Sequence, residues 1–237
     1  MEIYGAGSID EIRKCTELGC AGILTNPQGF DQYFEGNMSL EEITEAISKA
    51  TDLPFFMQIH GPSTDALVDR AVALNAIAPD QVGFKIVSDP KGFWAIRKLQ
   101  QKGIRCIATT LFSVSQAMVA ATVGAFGICP FVSRGLAIGM DMLQVLQVIV
   151  ERYTQIMSAP KIIAVSLKGL ADIELAAAAG VDAVGMRYPL VEQMMEHPLS
   201  TKAELLFAKN WKRVKGEDVS YLSHALSMEG VAEDSVH

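Results

Sequence analysis

Short apolar runs alternate with amphipathic stretches along nearly the whole chain. The runs read as strands at Ile3–Tyr4, Gly22–Thr25, Phe55–Ile59, Val82–Val87, Ile104–Thr109, Phe126–Phe131, Ile162–Ser166 and Ala183–Met186. Between them, apolar positions at helical spacing predict helices near Ile9–Leu18, Ser39–Ala50, Ser63–Asn75, Pro90–Lys102, Ser113–Val123, Met140–Met157, Leu170–Ala179 and Pro189–Glu196. Punctuation agrees: Ser39 and Glu42 have the spacing of a capping box, and Gly103 and Gly180 stand where helices should stop. Strand and helix in strict alternation, eight of each, predict an α/β fold, a single (β/α)8 barrel of the TIM type. An open doubly wound sheet is the competing arrangement, but no G-x-G-x-x-G turn follows the first strand. A further helical pattern, Thr201–Arg213, carries Leu205, Leu206 and Trp211 on a helix the barrel does not need. The expected organisation is therefore a barrel over 1–199, with 200–237 an additional C-terminal helix and polar tail of the same unit. That helix is either a cover for the barrel's exterior or an arm reaching another subunit.

Composition narrows the function classes. Of 237 residues, 50% are apolar and 20% charged, and the net charge of −7 argues against a general nucleic-acid binder. Cys15, Cys20, Cys106 and Cys129 show no metal-ligand or CxxC spacing, so a reducing, cytoplasmic setting is expected. The opening "MEIY" reads as a strand with no targeting signal before it. The apolar run near 142–150 is interrupted by Gln144 and Gln147, so no membrane association is expected.

One residue breaks the pattern. Lys85 sits inside the apolar run "VGFKIV", although burying an ammonium is costly. Strand side chains alternate, so with Val82, Phe84 and Ile86 toward the helices, Gly83, Lys85 and Val87 point into the barrel. Desolvation there lowers a lysine pKa, and a neutral amine can attack a carbonyl to form an imine. The structural alternative is an ion pair with an inward carboxylate, and no predicted strand offers an obvious one.

Other strand ends face the same mouth, where barrel chemistry sits. Gln58 and His60 share a face in "FFMQIHG"; Thr109 ends the fifth strand, and Cys129 and Phe131 end the sixth. Thr25 and Asn26 end the second, in "LTNP". Arg134 follows the sixth strand, Ser166 ends the seventh, and Lys168 opens the next helix: two cations, a hydroxyl and a helix N-terminus, a combination suited to phosphate. Singly, each of these residues has an ordinary turn, capping or surface role as its alternative.

Together these segments resemble the small transaldolase and fructose-6-phosphate aldolase family. The pieces "MEIY", "GILTNP", "FFMQI", "FKIV", "PFVSR", "AVSLK" and "YPLVEQMMEHP" match it in order and spacing. The resemblance implies a class I aldolase or transaldolase with Lys85 as the imine-forming lysine, no metal and no cofactor. It implies a small carbonyl or sugar-phosphate substrate, with Arg134 and Ser166 holding the acceptor's phosphate and Thr25 and Asn26 lining the donor end. Gln58 and Thr109 match the pair that positions a catalytic water, and glutamine at position 58 leans toward the aldolase side. The family forms pentamers and decamers, so a homo-oligomer is implied, with the C-terminal helix as its arm. Three positions depart from the pattern. Ala6 stands where the family has an aspartate, Phe131 where the aldolases have a tyrosine, and Ser133 where an asparagine is usual. Two proton-handling groups are thus replaced. Either His60 takes over their work or the substrate differs, with Ala6, Cys129 and Phe131 making a less polar mouth. A sugar-phosphate-binding relative with little turnover is the other reading.

Overall fold

In the computed structural model, which describes residues 1–34 and 38–216, the eight apolar runs are parallel strands joined edge to edge into one ring, β1-β2-β3-β4-β5-β6-β7-β8, with β8 closing on β1. The strands are β1 (Glu2–Ala6), β2 (Gly22–Leu24), β3 (Phe55–Gln58), β4 (Val82–Val87), β5 (Cys106–Leu111), β6 (Gly127–Pro130), β7 (Lys161–Ala164) and β8 (Ala183–Arg187). The helices are α1 (Ile9–Leu18), α2 (Pro27–Tyr33), α3 (Leu40–Ala50), α4 (Thr64–Asn75), α5 (Pro90–Gln100), α6 (Val114–Val123), α7 (Val132–Ala137), α8 (Met142–Tyr153), α9 (Leu170–Ala179), α10 (Tyr188–Met194) and α11 (Pro198–Lys215). The predicted (β/α)8 barrel is the fold observed.

Local chemistry sets the element ends. Ser8 with Glu11 and Ser39 with Glu42 form reciprocal capping boxes on α1 and α3. Gly103 and Gly180 both adopt positive φ, which glycine alone adopts without strain, and both stop their helices as the sequence predicts. The fifth strand, however, begins two residues later than Ile104, because the Ile104 N–H still bonds back to the Leu99 carbonyl. Helix α8 is shorter than Met140–Met157: Met157 is exposed and lies beyond its end. Lys168 does not open a helix; α9 starts at Leu170 with Gly169 as its N-cap. The apolar pattern predicts neither of two short helices, α2 and α7. Asn26 followed by Pro27 is a helix-start signal that the reading of "LTNP" as a strand end hid.

Register shows which side chains fill the ring. Tyr4 pairs with Gly22, Leu24 with Phe56, Phe56 with Gly83, Gln58 with Lys85, Lys85 with Ile107, and Thr109 with Cys129. Paired residues of parallel strands point to the same side, so this set faces one interior. Its lower part is packed solid by Tyr4, Leu24, Phe56, Ile107, Cys129, Ile163, Val165 and Ala183. Gly83 is required by that packing: a Cβ there would lie 2.6 Å from the Phe56 ring. On the opposite face of β4, Ile86 lies against α5 beside Gly92, as the alternation predicts.

The chain divides into two compact units, Met1–Val191 and Glu192–His237, and the barrel lies wholly in the first. In the second, α11 covers the predicted Thr201–Arg213 helix and leaves Leu199, Leu206, Phe207 and Trp211 exposed. The predicted polar tail lies outside the described residues. Among the described residues no helix is long and apolar enough to cross a membrane.

Candidate active site

Lys85 points from the middle of β4 into the ring, above the packed floor, and is only 5% exposed. Its ammonium nitrogen donates one hydrogen bond, 2.9 Å, to the backbone carbonyl of Thr25. Among the described residues it has no carboxylate partner, so the ion-pair alternative fails. Burial pushes its pKa below the ordinary lysine value; the nearby Cys129 thiol acts weakly the other way. The same desolvation pushes the Cys129 thiol up to about 11, with Lys85 and the Thr109 hydroxyl partly opposing it. Cys129 is therefore a neutral, apolar wall beside the amine.

Two polar side chains flank the lysine without partners. The Thr109 hydroxyl is fully buried with no oxygen or nitrogen to bond among the described residues, and only an ionised Cys129 would engage it. The Gln58 amide, half-buried beside Lys85 in register, makes no hydrogen bond among the described residues. Buried polar groups are normally satisfied, so these are places that a substrate or water would complete. Just beyond Thr109 the backbone is strained: Thr110 has φ 59° and the β5–β6 register shifts there.

The rim differs residue by residue from expectation. Thr25 turns its side chain away from the interior. Its hydroxyl donates to the Phe56 carbonyl and accepts the Gln58 N–H at 2.9 Å, so what it offers the interior is its carbonyl. Asn26 does face the mouth, but its side-chain oxygen caps α2 through the Gly29 N–H at 2.8 Å. His60 is exposed on the turn after β3, where its carbonyl accepts from Arg70 on α4; no hydrogen bond or ion pair joins it to the lysine. Ala6 ends β1 and lines, with Asn26, Phe30 and Tyr33, a small, partly open recess walled on its inner side by Ile12, Ile23 and Ile47.

On the opposite side, Arg134 lies in α7 with its guanidinium 5.0 Å from the centre of the Phe131 ring, and that ring also meets Phe112 edge-on. Ser166 has φ 59°, which breaks the strand alternation, and its carbonyl accepts the Ser133 N–H. Helix α9 opens without a side-chain cap, and Lys168 is exposed just before it. Asp172 takes part of that space: one carboxylate oxygen accepts both the Ser133 hydroxyl, 2.5 Å, and the Lys168 N–H, 2.8 Å. Ser133, next to Arg134, is thus tied to both Ser166 and, through the Asp172 carboxylate, to Lys168.

The family model described as transaldolase/fructose-6-phosphate aldolase matches residues 6–236. The chain belongs to that family. Among its relatives, a probable transaldolase of Moorella thermoacetica is 33% identical over 89% of this chain and 96% of its own. One of Heliobacterium modesticaldum is 32% identical over 89% and 96%, and one of Thermoplasma volcanium 29% over 90% and 96%. More distant solved structures share the fold alone. A thiamine phosphate pyrophosphorylase of Pyrococcus furiosus has TM-score 0.55 at 17% identity, covering 78% of this chain and 85% of its own. A putative phosphonomutase of Burkholderia cenocepacia has 0.58 at 16%, covering 86% and 92%.

Within this family member, sequence reasoning missed two residues of the mouth. Arg187 ends β8, and its guanidinium lies 5.8 Å from the centre of the Tyr33 ring on α2. The signal was available: Ala183, Gly185 and Arg187 share the inward face, and an arginine at the carboxyl end of a barrel strand is conspicuous. Tyr33 sits on a helix that was not predicted. Among the described residues no group of three or more His, Cys, Asp or Glu is placed to hold a metal ion.

Proposed function

We propose that this protein is a lysine-imine aldolase or transaldolase that makes or breaks a carbon–carbon bond in small ketoses or their phosphates. The carrying observation is the Lys85 amine, buried, held only by a carbonyl, with a lowered pKa and polar groups waiting beside it. The neutral nitrogen attacks the ketone carbon, the carbonyl oxygen leaves as water, and a protonated imine remains. A base then takes the proton of the hydroxyl two carbons from the imine carbon. The electron pair of the breaking carbon–carbon bond moves into the imine, giving an enamine on Lys85 and a free aldehyde. Proton delivery to the enamine and hydrolysis complete aldol cleavage; addition of the enamine to another aldehyde completes transfer. Gln58 and Thr109 flank the nitrogen and are suited to hold the water that enters and leaves. Arg134, Ser166 and Lys168 are suited to the phosphate of the aldehyde half.

Ala6 and Phe131 support a second reading, a sugar-phosphate binder with little turnover, because neither can carry a proton. General acid–base groups contribute about 10²–10⁴-fold to rate, so losing two of them matters. An assay with fructose 6-phosphate separates the readings. The enzyme reading expects release of glyceraldehyde 3-phosphate, or transfer to an added aldehyde, that vanishes in Lys85→Met. Binding of the sugar phosphate with neither product in either protein would establish the binder.

A further inference from the structure

The register that closes the ring places Ala6 of β1 directly beside Arg187 of β8. The chain therefore sets a small methyl group beside a guanidinium on the adjoining strand. Arg187 reaches toward Tyr33, which lines the same recess as Ala6 and Asn26. A cation resting on an aromatic face keeps its N–H edge free for a planar or tetrahedral oxyanion. Among the described residues no carboxylate pairs with Arg187, in a chain whose net charge is −7. The mouth thus carries two arginines, each on an aromatic ring: Arg134 in the β6–β7 sector and Arg187 in the β8–β1–α2 sector.

We infer that Arg187 and Tyr33 form a second anion subsite, so that the three-carbon donor half of the substrate itself carries a phosphate ester. This inference rests on the imine reading for its chemistry and names the substrate class of that site. An aspartate at position 6 would neutralise Arg187 and repel a donor phosphate. Alanine removes that repulsion and makes room beside the guanidinium. Alanine at position 6 and arginine at position 187 then act together, favouring an anionic donor over a neutral polyol. Arg134 remains for the aldehyde half, and the preferred ketose is phosphorylated at both ends.

The test is saturable trapping with borohydride. Dihydroxyacetone, dihydroxyacetone phosphate and pyruvate are each titrated, and the adduct on the Lys85 peptide is measured by mass. A charge-assisted contact of this kind is worth about tenfold or more in affinity. The phosphate ester is expected to half-saturate the wild type at a concentration about tenfold or more below dihydroxyacetone. In Arg187→Met that ratio should collapse toward one, in Arg187→Lys it should partly recover, and in Arg134→Met it should persist. A ratio unchanged in Arg187→Met, or lost instead in Arg134→Met, overturns the subsite and leaves the imine intact. Pyruvate trapped at lower concentration than the phosphate ester overturns the assignment to phosphate. If no donor gives an adduct, the imine reading fails, and the subsite is judged by calorimetric binding of dihydroxyacetone phosphate. Weaker binding to Arg187→Met than to wild type supports the subsite; equal binding, or none to either, overturns it.

Discussion

The floor of the site and its rim are built by different rules. At the floor, Lys85, Cys129 and Thr109 are sealed inside the ring by the strands' own register, and burial decides their chemistry. At the rim, Arg134, Arg187 and Lys168 are exposed cations on helices and strand ends, two of them lying against aromatic rings rather than carboxylates. The three positions where the sequence reading expects a departure, Ala6, Phe131 and Ser133, all lie at strand ends or in the short helix α7, outside this set. A reactive centre made by desolvation tolerates few neighbours. A rim made of exposed charges can be rewritten one side chain at a time.

The contrast breaks most severely at Lys85. Lys85→Met should abolish turnover and trapping, a loss of about 10⁴-fold or more, since covalent catalysis and its electron sink go together. The same change should stabilise the fold near neutral pH. Between the depressed folded pKa of Lys85 and its ordinary 10.5, the unfolded chain binds a proton that the folded chain does not. Wild-type stability therefore rises with pH through that window. The variant lacks this dependence, so its melting temperature should exceed the wild type's at pH 7, with the gap narrowing as pH climbs. A parallel offset at all pH values would mean that Lys85 is not desolvated. Thr109→Val should separate function from stability in the same way: turnover falls about 10²-fold, while stability stays level or gains up to about 1 kcal/mol, because the lost hydroxyl had no partner.

The rim should respond more gently. Ala6→Asp combined with Phe131→Tyr should raise activity on fructose 6-phosphate about tenfold or more, by restoring proton-handling groups. Adding Arg187→Met should raise it further, since the new carboxylate would otherwise pair with that guanidinium. No gain in either background would mean that proton transfer is organised elsewhere. His60→Ala should have the smallest effect, less than about twofold in turnover from pH 6 to 8, as expected for an exposed group away from the amine. A larger, pH-dependent loss would return His60 to the catalytic set.

The same contrast explains what the sequence disclosed. Period-two alternation in "VGFKIV" located Lys85 and its inward direction correctly, because a strand buried on both faces leaves a lysine one polar choice. It also brought Gln58 and Thr109 to the same interior. The rim was harder to read. Position alone places both Thr25 and Ser166 at the mouth. Yet Thr25 turns outward to stitch β2 to β3, and Ser166 arrives through a left-handed backbone that no period encodes. Tyr33 and Arg187 meet across α2 and β8, elements at opposite ends of the chain that become neighbours only when the ring closes. Helix α7 escaped notice because it starts without a capping side chain.

The most direct measurement is peptide mapping after borohydride reduction in the presence of a three-carbon ketose. One added donor unit is expected, on the peptide that holds Lys85, with none in Lys85→Met. An adduct on a different lysine, or ketose cleavage that proceeds while the Lys85 peptide stays unmodified, would contradict it.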